Sequence, residues 1–219
     1  MAHAMREPGD LPAVIPVFPL AGALLLPRGH MPLNIFEPRY LAMVDDALRG
    51  PRLIGMIQPE AEDASDVPRL YHVGCVGRIT SFSETGDGRY LIQLTGVARF
   101  RVLEEPVVAT PYRQCRVTAE PFAVDFKPRA GEGEVDRDAL IRTLRAYIDA
   151  TGLQADWDAI RQAPNEALVN ALSMMSPFGV REKQALLEAA SLKQRADMLV
   201  AITEIELAKN GPGGDGPLQ

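Results

Sequence analysis

The feature that most constrains this chain is a change in the spacing of its apolar residues partway along. Up to about Phe122 the apolar runs are short and are broken by Gly and Pro, and in places they alternate with polar residues. In "RFRVLE", Phe100 and Val102 alternate with Arg99 and Arg101; further on, Cys115, Val117 and Ala119 alternate with Gln114, Arg116 and Thr118. A period of two gives a strand one buried and one wet face. The expected strands are Val14–Phe18, Ala23–Leu26, Leu53–Gln58, Val73–Phe82, Tyr90–Thr95, Ala98–Leu103 and Tyr112–Glu120. "SETGDGRY" supplies a hairpin turn, since Gly and Asp tolerate positive φ. Short strands with one apolar face each point to a small closed or partly closed barrel.

Past "DFKPRAGEGE", a linker by composition, the period becomes 3.6. Leu140, Ile141, Leu144 and Tyr147 share one helical stripe. Leu168, Ala171, Leu172 and Met175 share another, with Pro164 near its start. "SPFGVREKQALLEA" begins a third helix, and Met198, Leu199, Ile202 and Ile205 mark a fourth. The expected class is α+β: a barrel of about six strands with one short helix, then an all-helical subdomain. The expected layout is a flexible leader over 1–11, the barrel over 12–122, a linker over 123–135, the helical bundle over 136–208 and a flexible tail over 209–219.

Composition narrows the function classes. A hydrophobic fraction of 47% in 219 residues supports a real core. The net charge of −6 leaves no basic stripe of the kind that phosphate-backbone binding needs. Cys75 and Cys115 are too few for a disulfide framework. "MAHAMREPGD" has no apolar core of a signal peptide, and "AGALLLP" is too short to cross a bilayer. These features lead us to expect a cytoplasmic protein with no membrane contact.

Within "FEPRYLAMVDDALRG", Pro38 suits a first helical position and Glu37 places negative charge at the positive end of the helix dipole. Tyr40, Leu41, Val44 and Leu48 recur at helical spacing, and Gly50 with Pro51 stops the helix. Glu37 and Arg39 therefore have a structural account. No G-x-x-x-x-G-K-[ST] loop and no G-x-S-x-G elbow occurs. His72 and Cys75 are three apart, so on a strand they point to opposite faces. Asp45 and Asp46 are helical neighbours and do not face each other. No catalytic residue, metal or cofactor is expected.

Three blocks of sequence resemble a known family. In "IPVFPLAGALLLPRGHMPLNIFEPRYLAMVDDAL" the matching residues are Pro16, Phe18, Pro19, Leu20, Pro27, Pro32, Leu33, Ile35, Phe36, Glu37, Arg39 and Tyr40. "VGCVGRITSF" and "GRYLIQLTGVARFRV" add Gly74, Gly77, Ile79, Gly96, Arg99 and Phe100. "EKQALLEAASLKQRADMLVAIT" adds Lys183, Gln184, Leu186, Leu187, Glu188, Arg195 and Leu199. Together they resemble the N-terminal, substrate-binding domain of Lon protease.

The resemblance implies a PUA-like barrel followed by helices, and capture of protein substrates. The lysines, Lys127, Lys183, Lys193 and Lys209, do not sit in anything like the family's Ser–Lys protease segment. The expectation is thus a standalone substrate-binding module without ATPase or protease domains. It would hold unfolded or client polypeptides and could deliver them to a separate ATP-dependent protease. The alternatives are a small-molecule or RNA-binding barrel, or an adaptor for one folded partner; an oligomer is compatible with either.

The expected substrate contacts are Leu24, Leu25, Leu26, Met31, Leu33 and Phe36. Three consecutive leucines cannot all point inward from a strand, so at least one is expected to be exposed or covered by another element. Phe18, Pro19, Glu37, Arg39, Tyr40, Gly74, Gly77, Gly96 and Arg99 are expected to be structural, with Arg99 anchoring a carboxylate such as Glu37 or a strand end.

Overall fold

The computed structural model describes residues 5–60, 63, 65 and 67–210. Most of the expected tail, and residues 1–4 of the expected leader, lie outside the described residues. The chain divides into two compact units, one of residues 1–128 with 176–188, the other of residues 129–175 with 189–219.

The first unit contains six strands: β1 (Val14–Pro19), β2 (His30–Ile35), β3 (Leu53–Ile57), β4 (Val73–Glu84), β5 (Tyr90–Glu104) and β6 (Gln114–Thr118). Helix α1 (Pro38–Arg49) joins β2 to β3. β1 runs parallel to β3, and antiparallel pairings link β3 to β4, β4 to β5, β5 to β6 and β6 to β1. These five strands form a ring, and β2 lies outside it against the first half of β5.

The segments expected as Tyr90–Thr95 and Ala98–Leu103 are one strand. Opposite them, Val76 pairs with Ala98 and Gly77 with Gly96, so Val97 is an extra residue. A bulge bends a strand without ending it, which lets β5 serve β2 at one end and β6 at the other. Ile15, Val17, Leu53, Ile57, Val76, Phe100, Cys115 and Val117 fill the ring. Phe100 is fully buried. A Cβ on Gly74 would lie 2.4 Å from its ring and 2.5 Å from the Met56 carbonyl oxygen, so only glycine fits there.

Two sequence expectations are corrected here. His30–Ile35 is a strand that the reading missed. Ala23–Leu26 is not a strand but an irregular segment, and Leu24, Leu25 and Leu26 are all buried, at 2%, 1% and 0% exposure. Freed from the pleat, the three side chains need not alternate. The segment crosses β4 and β5 where they carry glycines: a Cβ on Gly77 would meet Leu25 Cδ2 at 2.9 Å, and one on Gly96 would meet the Leu26 carbonyl oxygen at 2.0 Å.

α1 starts as the sequence suggests, with Pro38 at its first turn, but its buried side chains are Tyr40, Met43, Val44 and Ala47. Leu41 and Leu48 are only half-buried. Asp45 and Asp46 hold the helix down, each accepting a tyrosine hydroxyl: Tyr90 to Asp45 at 3.1 Å and Tyr112 to Asp46 at 2.8 Å. Burial, then the bond to Asp46, pushes the Tyr112 phenol up to about 12.

Helix α5 (Val180–Glu188) also belongs to the first unit. A buried polar network fastens it to the strands. Gln58 Nε2 donates to the Val180 carbonyl and to Gln184 Oε1, both at 3.1 Å, and Gln184 Nε2 donates to the Val73 carbonyl at 3.1 Å. Arg99 Nη1 donates to the Leu187 carbonyl at 3.1 Å. Buried polar groups need such partners, so the network orients the helix as well as holding it.

The second unit contains α2 (Arg137–Thr151), α3 (Trp157–Gln162), α4 (Asn165–Met175) and α6 (Leu192–Asn210). Asp136 caps α2 and Asp156 caps α3. On α4 the buried set is Leu168, Val169, Asn170 and Ser173, whereas Met175 is 81% exposed. The polar pair is tolerated inside because Ser173 donates to the Val169 carbonyl at 2.7 Å and Asn170 accepts from Arg195 Nη1 at 3.1 Å. At six residues, α3 is too short to show a helical period, and the sequence reading missed it.

Candidate functional site

β2, the first half of β5 and the far end of β4 make a three-stranded wing on the ring. Register fixes what each face carries. Leu33 pairs with Ile92 and Ile92 with Phe82; Met31 pairs with Leu94 and Leu94 with Ile79. These residues share the inner face. Ile79 and Phe82 are three apart, and they reach the same face because Thr80 is an extra residue between the pairs Ile79–Leu94 and Ser81–Gln93. The outer face carries His30, Pro32 and Asn34 with Leu91, Gln93 and Thr95, and it is laced by hydroxyl bonds: Thr80 to the Gln93 carbonyl at 3.2 Å, and Thr80 with Thr95 at 3.0 Å.

Among the described residues, β2 pairs only with β5, so its other edge is open. Met31 and Leu33, on this strand, are half-buried, whereas Ile35, Ile92 and Leu94 on the same face are buried. Phe36 follows β2 directly and is 61% exposed; Leu91 and Phe82 on the wing are 47% and 38% exposed. An open edge beside apolar side chains is a template for another chain.

Of the six residues expected to contact substrate, the structure thus brings Met31, Leu33 and Phe36 to this edge. It removes Leu24, Leu25 and Leu26 from any surface, since all three are buried, with Leu25 packed against Gly77 and the Leu26 backbone against Gly96.

The expected structural residues sit elsewhere in the same unit. Phe18 packs on Tyr40 with ring centroids 4.2 Å apart. Pro19 ends β1. Glu37 pairs with Arg39, not with Arg99: Arg39 Nε lies 2.9 Å from Glu37 Oε2, and the Arg39 guanidinium stacks over Tyr40 at 4.5 Å. Arg99 instead takes Asp125, a residue the sequence reading placed in the linker. Its Nε and Nη2 lie 2.8 and 2.7 Å from the two carboxylate oxygens. Arg99 is buried, while Arg101 is exposed, so the strand does not present the two as a joint basic surface.

One strand and one further residue escaped the reading, each for a different reason. β2 did carry its signal, the alternation of Met31, Leu33 and Ile35 with His30, Pro32 and Asn34, but Pro32 argues against a strand interior. On an edge strand that objection fails, since the missing N–H faces away from β5. Gln58 had no local signal, because its partners are more than 100 residues away.

His72 is exposed and Cys75 is buried, so they do not converge. Among the described residues no three His, Cys, Asp or Glu side chains are grouped to hold a metal. Burial pushes the Cys115 thiol up to about 11, away from thiolate reactivity. In the second unit an open cleft of about 570 Å³ is lined by Arg129, Glu132, Arg137 and Asn165 among others. Its polar groups hold the fold: Arg137 donates to the Ile160 carbonyl at 2.7 Å, and Glu132 accepts the Glu166 N–H at 2.9 Å. Among the described residues no helix is long and apolar enough to cross a membrane.

Known proteins resemble this chain in sequence and in fold. The family described as the ATP-dependent protease La (Lon) substrate-binding domain matches residues 14–204. Lon protease 2 of Myxococcus xanthus is 28% identical over 216 residues, covering 92% of this chain and 25% of that protein. Lon protease of Parabacteroides distasonis is 30% identical over 213 residues, covering 93% and 25%. The chain therefore spans about a quarter of the length of the curated relatives it matches.

Two solved structures share the fold. A Lon N-terminal domain protein from Xanthomonas campestris superposes with a TM-score of 0.62 at 22% identity, covering 86% of this chain and 97% of that one. The N-terminal domain of Mycobacterium avium complex Lon protease gives 0.64 at 16% identity, covering 87% and 98%. With the family matched across nearly the whole described chain, the α+β protein described here belongs to the ATP-dependent protease La (Lon) substrate-binding domain family.

Proposed function

We propose that this chain is a non-catalytic polypeptide-binding module that takes unfolded or client segments along the open edge of β2. The observation that carries this reading is the pairing of β2 with β5 alone, beside the half-buried Met31 and Leu33 and the exposed Phe36. An extended chain laid on such an edge gains main-chain hydrogen bonds and covers apolar surface together. The non-catalytic reading is supported by the polar side chains in the cleft and against α1, which are engaged in holding the fold. The family match supports a role in delivering the captured segment to an ATP-dependent protease, with the module as the recognition step.

The test is a titration of the whole chain with a fluorescently labelled, permanently unfolded protein and with a folded control. Association with the unfolded protein alone, weakened by Leu33→Asp, supports the reading. No association at concentrations on the order of tens of micromolar overturns it.

A further inference from the structure

Resting on the reading that the β2 edge takes an extended chain, we infer that this edge selects segments whose apolar residues alternate at every second position, which are strand-forming segments and not amphipathic helices.

The argument begins with register. The Gly96 N–H donates to the Gly29 carbonyl at 2.9 Å. Counting by twos from that bonded pair, Met31, Leu33 and Ile35 exchange hydrogen bonds with β5, and His30, Pro32 and Asn34 turn their backbone groups outward. The open edge therefore offers the carbonyls of His30, Pro32 and Asn34 and the N–H groups of His30 and Asn34. Pro32 has no N–H to offer.

A chain added antiparallel must meet this pattern. The residue opposite Pro32 donates its N–H to the Pro32 carbonyl, so it cannot be proline. Its own side chain falls on the outer face, among exposed His30, Pro32 and Asn34. The residues on either side fall opposite Met31 and Leu33, in the pairs without hydrogen bonds, where side chains approach most closely. Those two positions continue the inner face, whose deeper members Ile35, Ile92 and Leu94 are already buried. The half-exposure of Met31 and Leu33 is what an edge strand leaves uncovered, and apolar residues two apart would cover it. A helix at this edge offers no free N–H or C=O to the backbone, because its own are used internally.

Three labelled ten-residue peptides test this, the first two of one composition. The first alternates Val with Thr and Lys, the second places the same residues at helical spacing, and the third alternates but carries Pro at the central outward position. Binding of the first at least about ten-fold tighter than the other two supports the inference. It is strengthened by a comparable loss with Asn34→Pro, which removes a second outward N–H without touching the apolar face, provided the variant melts like the parent. Equal binding of the first two peptides overturns the inference and leaves the polypeptide-binding reading standing. Binding of the unfolded protein but of none of the peptides has the same result. A dimer in sedimentation that Asn34→Pro dissolves, with no peptide binding, gives the edge to a second copy of the chain and overturns the inference. Failure of the unfolded protein as well sinks the underlying reading.

Discussion

The Asp125 carboxylate closes three hydrogen bonds on Arg99, two from the guanidinium at 2.8 and 2.7 Å and one from its backbone N–H at 2.9 Å. Both side chains are buried, at 3% and 7% exposure. The Phe122 ring lies 4.7 Å from the guanidinium, and Arg28 donates to the Asp125 carbonyl at 2.6 Å. The pair ties the short 3-10 turns over Glu120–Phe126 to the middle of β5.

Removing one member of this pair strands a charge in the interior. Asp125→Asn or Arg99→Met should each cost about 3–5 kcal/mol, read from urea unfolding midpoints. The double variant should cost less than the sum of the two, since neither charge is then left alone. Additive costs would show that the two residues act independently.

Gly96 is the tightest backbone contact among the glycines of the wing. Gly96→Ala would drive a methyl group to 2.0 Å from the Leu26 carbonyl oxygen, and backbone must move to relieve it. The expected cost is at least about 2 kcal/mol, with the Arg28 and Gly96 amides, which bond across this crossing at 2.8 and 2.9 Å, losing protection in hydrogen exchange before the β3–β4 pairing does. Gly86→Ala makes a useful control, because that turn glycine has open space around it and only its positive φ opposes the change.

Tyr112 makes stability fall at high pH. The folded protein holds this phenol protonated to about 12, while an unfolded chain ionises it near its ordinary value of 10.0. A raised pKa stabilises the fold fully below the unfolded value and loses that contribution as pH rises toward the folded one. Unfolding midpoints of the parent should therefore drop between pH 10 and about 12 more steeply than those of Tyr112→Phe. At neutral pH the variant should cost about 1 kcal/mol for the lost bond to Asp46. Parallel pH curves for the two proteins would count against this account.

What could be read from the sequence followed what is local. Short apolar runs between Gly and Pro located β1, β3, β4, β5 and β6, and the change to helical spacing located α2, α4 and α6, although the face that α4 buries is Leu168, Val169, Asn170 and Ser173 and not the expected stripe. Pro38 and Gly50 likewise marked α1. Three things were not local. The leucines at 24–26 read as a strand because nothing nearby says that Gly77 and Gly96 clear a path for them. Asp125 read as linker because its partner is 26 residues back. β2 alternated correctly, but its proline disguised an edge strand as a loop, and so half of the candidate site was missed while Met31, Leu33 and Phe36 were picked for their apolarity alone.

The chain leaves the barrel's unit after Pro128 and rejoins it at Ser176 to supply α5. During synthesis, every strand has therefore emerged from the ribosome well before Gln58 and Arg99 can meet Gln184 and Leu187. The nascent barrel must wait, with those polar groups still open to water, until Val180–Glu188 has also emerged. A gene cut at the apparent linker would yield a permanently unfinished version of that intermediate.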